Sequence, residues 1–220
     1  MAEFPKQAKV VIVGLGGIVG SSIAHHLIEL GWDDIVGLDK SAIPTDIGST
    51  SHASDFCYTT GADKFTAYTT QYSQQFFESR GNYVRCGGLE VARVDDDARM
   101  LELKRKIGQG KAFGSRVSLI SPAEAKAKFP LLAEDQIQGA LWDPDAGLVV
   151  PRSQKVAGDL VDEAVASGKL KAFPNTPALK IVVDAGRVIG VETRRGFIAS
   201  EKVVLSVGIW GPLLADQVGS

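Results

Sequence analysis

The chain has 220 residues, 45% of them hydrophobic and 23% charged, with a formal net charge of -2. That apolar content supports one substantial core or two small ones. Acidic and basic residues are interspersed without a block of one sign, so composition points away from nucleic acid and from a membrane surface and leaves a small molecule as the expected partner. The opening MAEFPKQAKVVIVG carries only a short apolar run that ends in glycine, neither a signal peptide nor a spanning helix, so no membrane insertion and a cytoplasmic location are expected.

In chain order, Val10 to Val13 predicts a short buried strand, and Ser21 to Leu30 carries Ile23, Leu27, Ile28 and Leu30 at helical spacing. Gly31 ends that helix as a left-handed cap, and Asp34 to Asp39 predicts a second strand ending in an acid, which completes a parallel βαβ unit. His25 and His26 are expected at the helix surface. Ser41 to Gly61 is rich in Ser, Thr, Gly and Pro and has no periodicity; an irregular segment of this length is usually functional. Phe65, Tyr68, Tyr72, Phe76 and Phe77 predict a helix from Asp63 to Arg80 whose aromatic stripe enters a core. Cys57 and Cys86 form no CxxC pair and are expected to be reduced core thiols, with no metal site.

Gly87 to Val94 alternates like a strand, and Asp96 to Ala112 predicts a charged amphipathic helix. Ser121-Pro122-Ala123-Glu124 is a capping box with proline at the first helical position, opening a short helix that stops before Pro130. A further helix is predicted from Ser153 to Ala166. Ala178 to Val183 and Arg187 to Thr193, joined by Asp184-Ala185-Gly186, predict a hairpin; Lys202 to Ser206 is a buried strand, and Gly211 to Val218 begins a helix. No clean linker separates these elements, so any second domain is an insertion.

The turn after the first strand reads Gly14-Leu15-Gly16-Gly17-Ile18-Val19-Gly20. Glycines there let the chain turn sharply and bring backbone N–H groups to a pyrophosphate at the helix amino terminus. Asp39, nineteen residues after Gly20, stands where a carboxylate accepts hydrogen bonds from a ribose diol. Two alignments fit: either the loop has one extra residue, or Leu15 takes the first glycine position with Gly17 and Gly20 as the others. Helix phasing favours the second. The motif predicts nucleotide binding without telling FAD from NAD.

Further elements carry a more specific signal. Gly48-Ser49-Thr50-Ser51-His52-Ala53, the GGLEVA of Gly87 to Ala92, Asp145-Ala146-Gly147-Leu148, Gly186 to Val191, and Ser206-Val207-Gly208-Ile209-Trp210-Gly211 follow one another in an order that resembles the dimethylglycine and sarcosine dehydrogenase/oxidase branch of the D-amino-acid-oxidase-like flavoproteins. The resemblance runs over essentially the whole chain. It implies an α/β, Rossmann-like FAD-binding fold of the glutathione-reductase/D-amino-acid-oxidase type with inserted substrate-domain elements. Residues 1–220 are then a C-terminally incomplete FAD-binding domain, with about 84–142 as the start of an inserted substrate or cap region.

By resemblance, Ile18, Val19, Asp39, Lys40, Ser49, Thr50, Ser51, His52 and Phe56 line FAD. Ala178 supplies a backbone contact to adenine, and Gly208 with Trp210 lies near the dinucleotide. The hydroxyls of Ser49, Thr50 and Ser51 suit the diphosphate and ribityl chain of a long cofactor, and NAD has no ribityl chain to occupy them. In mitochondrial-type relatives the histidine matching His52 is bonded to the flavin ring; here Ser51 precedes it where a tryptophan is common, and covalent and non-covalent contact both stay open. The resemblance further implies oxidation of a secondary or tertiary N-methylated amine by hydride transfer to flavin, with oxygen or a carrier protein as electron acceptor. Its catalytic residues fall beyond Ser220, so none is assigned, and the polypeptide alone is expected to bind FAD poorly and to be inactive. Two alternatives remain: an NAD-linked dehydrogenase, and a truncated, non-catalytic nucleotide-binding module that needs a partner fragment.

Overall fold

A computed structural model describes residues 3–219. From the amino end, β1 (Val10–Val13), α1 (Ile18–Glu29), β2 (Ile35–Leu38) and the single turn α2 (Ser49–His52) are followed by β3 (Phe56–Cys57), α3 (Lys64–Ser79), β4 (Tyr83–Arg85) and β5 (Gly88–Arg93). Next come α4 (Asp97–Ala112), β6 (Ser118–Ile120), α5 (Pro122–Lys128), β7 (Ile137–Asp143) and β8 (Gly147–Val149). The chain closes with α6 (Ser153–Ala166), β9 (Leu170–Phe173), β10 (Ala178–Asp184), β11 (Arg187–Thr193), β12 (Gly196–Ala199), β13 (Val203–Leu205) and α7 (Gly211–Ala215). These elements form two units, one made of Met1–Ser54 with Pro151–Ser220 and the other of Asp55–Val150.

The first unit is built on a four-stranded parallel sheet in the order β13-β1-β2-β9. Every residue of β1 and β2 is buried, as the uninterrupted apolar runs require of strands covered on both faces. Val10 and Ile12 point to one face, where Leu15, Ala24, Ile35, Val161 and Ala164 form a core with α1 and α6. Val11 and Val13 point to the other, where Val36, Leu38 and Phe173 meet Ile181, Val191 and Ile198 of the antiparallel β10-β11-β12 sheet. Each such aliphatic side chain contributes roughly 1.5–3 kcal/mol on burial. The predicted hairpin is present, closed by Ala185 and Gly186 at φ 46° and 76°, which is the primed turn that matches strand twist. His25 and His26 are half-buried rather than surface residues, because α1 packs along α6 and brings His25 to 4.0 Å from Glu163.

The second unit holds two antiparallel three-stranded sheets, β5-β7-β6 and β3-β8-β4. Ala92, Leu103, Ile107, Val117 and Leu141 join α4 to the first of them, and Ala125, Ile137 and Ala140 join α5. The predicted capping box is formed, Ser121 accepting from the Glu124 N–H and Glu124 accepting from the Ser121 N–H. The aromatic stripe of α3 is not core: Phe65, Tyr68 and Tyr72 are 75%, 64% and 46% exposed. That helix docks through small and polar residues instead. Ala67 is fully buried with its backbone against Gly61, where a Cβ would come within 2.4 Å of the Ala67 nitrogen, and Gln74 donates to the Asp145 carbonyl at 2.8 Å. Neither cysteine is a core thiol: Cys57 is half-buried and Cys86, just beyond the edge strand β4, is exposed.

Candidate functional site

At the carboxyl end of β1 the chain turns at Gly14, whose φ of +91° and 2.5 Å clearance from the Ser206 carbonyl exclude a side chain. Leu15, one residue on, is fully buried, its side chain lying under Gly37. The left-handed turn therefore sits one residue before the position the motif alignment gave to the first glycine. The helix phasing is as expected: Gly17 is the N-cap and α1 begins at Ile18. Gly20 is where helix and turn touch, since a Cβ there would lie 2.1 Å from the Gly14 carbonyl oxygen. At the amino end of α1, the Ile18 N–H donates to the Thr50 hydroxyl at 3.0 Å.

Asp39 ends β2 and is 6% exposed. Its Oδ2 accepts from the Gly16 N–H at 2.9 Å, and its Oδ1 accepts from the Ser41 N–H and hydroxyl at 3.0 Å each. A carboxylate has about four acceptor positions, so these bonds fix its orientation and leave about one for a ligand. Ser49 and Thr50 of α2 line the same cleft as Asp39. Ser51 turns away and donates to the Gly48 carbonyl at 2.9 Å. The exposed His52 has Nδ1 3.1 Å from that carbonyl and 3.0 Å from the Ser51 hydroxyl.

The cleft has a volume of about 820 Å³ and lies wholly within the first unit. Of the residues singled out in the sequence, Gly14, Gly17, Ile18, Val19, Asp39, Lys40, Ser49, Thr50, Ala178, Gly208 and Trp210 line it. Gly16, Gly20, Ser51 and His52 stand outside the lining, and Phe56 belongs to the second unit. Sequence reading missed Thr45, Ile47, Ser153, Thr176, Leu179, Leu213 and Gln217, which also line it. Thr176 had no local signal: its N–H donates to the Asp39 carbonyl at 2.7 Å, a contact made only when β9 folds beside β2. The lining combines apolar Ile18, Val19, Ile47, Leu179 and Ile209 with polar Asp39, Lys40, Ser49 and Thr50, a composition suited to a ligand with both flat rings and polar groups. Lys40 Nζ lies 3.2 Å from the centroid of the Trp210 ring. Among the described residues no group of three His, Cys, Asp or Glu is arranged to hold a metal, and no helix is long and apolar enough to cross a membrane.

A family model described as FAD dependent oxidoreductase matches residues 9–220. The chain is 32% identical to the mitochondrial pyruvate dehydrogenase phosphatase regulatory subunit of Mus musculus, over 94% of this chain and 23% of that protein. It is 31% identical to the mitochondrial sarcosine dehydrogenase of Homo sapiens over 98% of this chain and 24% of that protein. It is 29% identical to the 4-methylaminobutanoate oxidase (formaldehyde-forming) of Paenarthrobacter nicotinovorans over 98% of this chain and 26% of that protein. The chain thus spans about a quarter of the length of these curated relatives. Among solved structures, L-proline dehydrogenase from P. horikoshii superposes with a TM-score of 0.87 at 26% identity, over 98% of this chain and 57% of that one. Glycine oxidase from Bacillus cereus shares the fold, with a TM-score of 0.77 at 24% identity over 96% of this chain and 58% of that one.

Proposed function

The chain belongs to the FAD dependent oxidoreductase family, whose cofactor is FAD, and from that premise we propose that it is the cofactor-binding part of an enzyme oxidising a secondary or tertiary N-methylated amine or amino acid of the sarcosine and dimethylglycine kind. The NAD-linked alternative falls with the family. The observation that carries the reading is the buried, pre-oriented Asp39 carboxylate sharing one cleft with the amino end of α1 and with Ser49 and Thr50. The names of the relatives, sarcosine dehydrogenase and 4-methylaminobutanoate oxidase, support an N-methylated substrate.

The cleft residues fit FAD. Bare backbone at Gly17 and the first N–H groups of α1 suit the pyrophosphate, the remaining acceptor position of Asp39 suits a ribose hydroxyl, and the Ser49 and Thr50 hydroxyls suit the polar chain between the rings. Backbone at Ala178, with apolar Leu179 beside it, suits adenine, and Gly208 with Trp210 borders the dinucleotide. When bound, FAD accepts the hydride from the carbon next to the amine nitrogen; this chain holds and orients it and contributes no assigned catalytic residue.

The test is anaerobic. The whole enzyme of which this chain is the proposed cofactor-binding part is mixed, carrying flavin, with sarcosine or dimethylglycine, and loss of oxidised-flavin absorbance is expected, whereas the 220-residue chain alone is expected to leave flavin oxidised. Asp39→Ala is expected to weaken FAD binding by about tenfold or more, since hydrogen bonds to a charged group are at stake. Flavin that no amine bleaches, or a protein that Asp39→Ala leaves equally able to bind FAD, sinks the proposal.

We also propose that His52 is the residue to examine for covalent attachment. Its Nδ1 lies within hydrogen-bond distance of the Gly48 carbonyl and of the Ser51 hydroxyl, and the tautomer with the proton on Nδ1, donating to that carbonyl, is the one that leaves the Nε2 lone pair for the flavin. Colour that passes wholly into the supernatant on acid precipitation rules out the bond. A second reading, a non-catalytic module acting with a partner polypeptide, is favoured by the likeness to a phosphatase regulatory subunit. Under it the protein keeps flavin that stays oxidised with every amine.

A further inference from the structure

We propose that Lys40 and Trp210 form a cation–π clasp across the cofactor cleft, closed in the free protein and opened by the pyrophosphate, which takes the Lys40 ammonium as its counter-ion and frees the indole face. The inference rests on the FAD reading above for its opening step. Its closed form rests on geometry alone.

β2 and β13 flank β1 on opposite sides. Lys40 follows Asp39 at the end of β2, and Trp210 lies in the short turn that follows β13, so their contact runs over the carboxyl end of β1, where the glycine turn emerges. Both residues line the cleft. The Trp210 turn is pinned at its base by the Trp210 N–H donating to the Val207 carbonyl at 3.2 Å, and Gly208 beside it takes φ +57°. Lys40 is exposed and flexible on its stem, so the ammonium can leave the ring without moving the sheet.

The balance of forces favours exchange. An exposed ammonium over a half-buried indole biases the closed state by about two- to fivefold. A hydrogen bond from the same ammonium to a phosphate oxygen joins two full charges at the amino end of a helix, which is stronger. Once Lys40 has moved, the ring face it covered is open to a flat heterocycle of the cofactor.

A double-mutant cycle tests this. Lys40→Met, Trp210→Leu and the double variant are compared by urea unfolding without FAD and at saturating FAD, with Lys40→Arg as the variant that keeps the cation. In free protein the two substitutions are expected to be non-additive by about two- to fivefold in the unfolding equilibrium constant, and Lys40→Arg to retain the coupling. At saturating FAD the coupling is expected to vanish, and Trp210→Leu is expected to bind FAD about two- to fivefold faster, since nothing then covers the ammonium. Additivity in the free protein overturns the clasp. Coupling that survives unchanged with FAD bound overturns the exchange. Coupling in free protein with no FAD binding by any variant upholds the closed clasp and sinks the flavin reading and the opening step with it.

Discussion

The two units of this chain hold their shapes by different means. In the first, β1 and β2 are buried along their full length, and at its cleft Asp39 accepts from the Gly16 N–H and from Ser41 while the Thr50 hydroxyl accepts from the Ile18 N–H. In the second, charge networks stand over the sheets: Glu90 takes both Lys106 and Arg99, Arg99 also reaches Glu102, and Asp145 takes Arg85 and Arg116. Close backbone approach shapes both units, at Gly14 and Gly20 in the first and at Gly61 and Gly147 in the second, and the second is in addition laced by ion pairs that water partly screens. Both should be intolerant of added volume at those glycines, and the second should respond to pH as well.

Gly20 gives the sharpest break of that contrast. A Cβ there meets the Gly14 carbonyl oxygen at 2.1 Å and the Ser206 hydroxyl at 2.8 Å, and the first of these is backbone that cannot rotate away. Gly20→Ala is expected to cost about 3 kcal/mol, the upper end of ordinary overpacking, and to displace the turn that faces the cleft. Urea unfolding gives the magnitude, and amide exchange should localise the loss to β1, α1 and β13. Gly108 in α4 is the control, because a Cβ there meets nothing within 4 Å. Equal effects at the two glycines would mean that the loss at Gly20 is not steric.

What could be read from the sequence follows the same divide. β1, α1 and β2 were legible because a parallel strand buried on both faces is an unbroken apolar run, and because Gly31 and Ser121 mark a helix end and a helix start by local chemistry. The hairpin was legible because Ala185-Gly186 sits between two alternating runs. β9 and β12 were missed, since Lys171 interrupts one and the other is a short edge strand whose pairing partner alone defines it. The aromatic period of α3 was real, yet which face docks is decided by Gly61, just before the helix, and by Asp145, far along the chain, neither of which belongs to the aromatic pattern. In the cleft, the glycine turn, Asp39 and Thr50 announced themselves by motif. Thr176 and the Lys40–Trp210 contact depend on strands meeting in the sheet, which no local window contains.

A smaller effect sharpens the contrast from the other side. In the second unit the hydrogen bonds from Arg116 hold the Asp145 carboxyl below the usual carboxylate range against the opposing effect of burial, and Arg85 adds to the lowering. The unfolded chain takes up the proton first, at the ordinary carboxylate value of about 4. The stabilisation is therefore complete above that value and drains away as pH falls through the lower folded-state value. Asp145→Asn carries no proton to take up, so the variant is expected to be less stable than the parent at neutral pH, with the gap closing as pH falls below about 4. Thermal melts across that range provide the measurement. Because Arg116 is largely exposed, added salt should narrow the neutral-pH gap as well, whereas the cost of Gly20→Ala, being steric, should be indifferent to both pH and salt. A gap for Asp145→Asn that is constant from neutral pH downwards would mean that the carboxylate acts through shape rather than charge, and the two units would then differ less than their contacts imply.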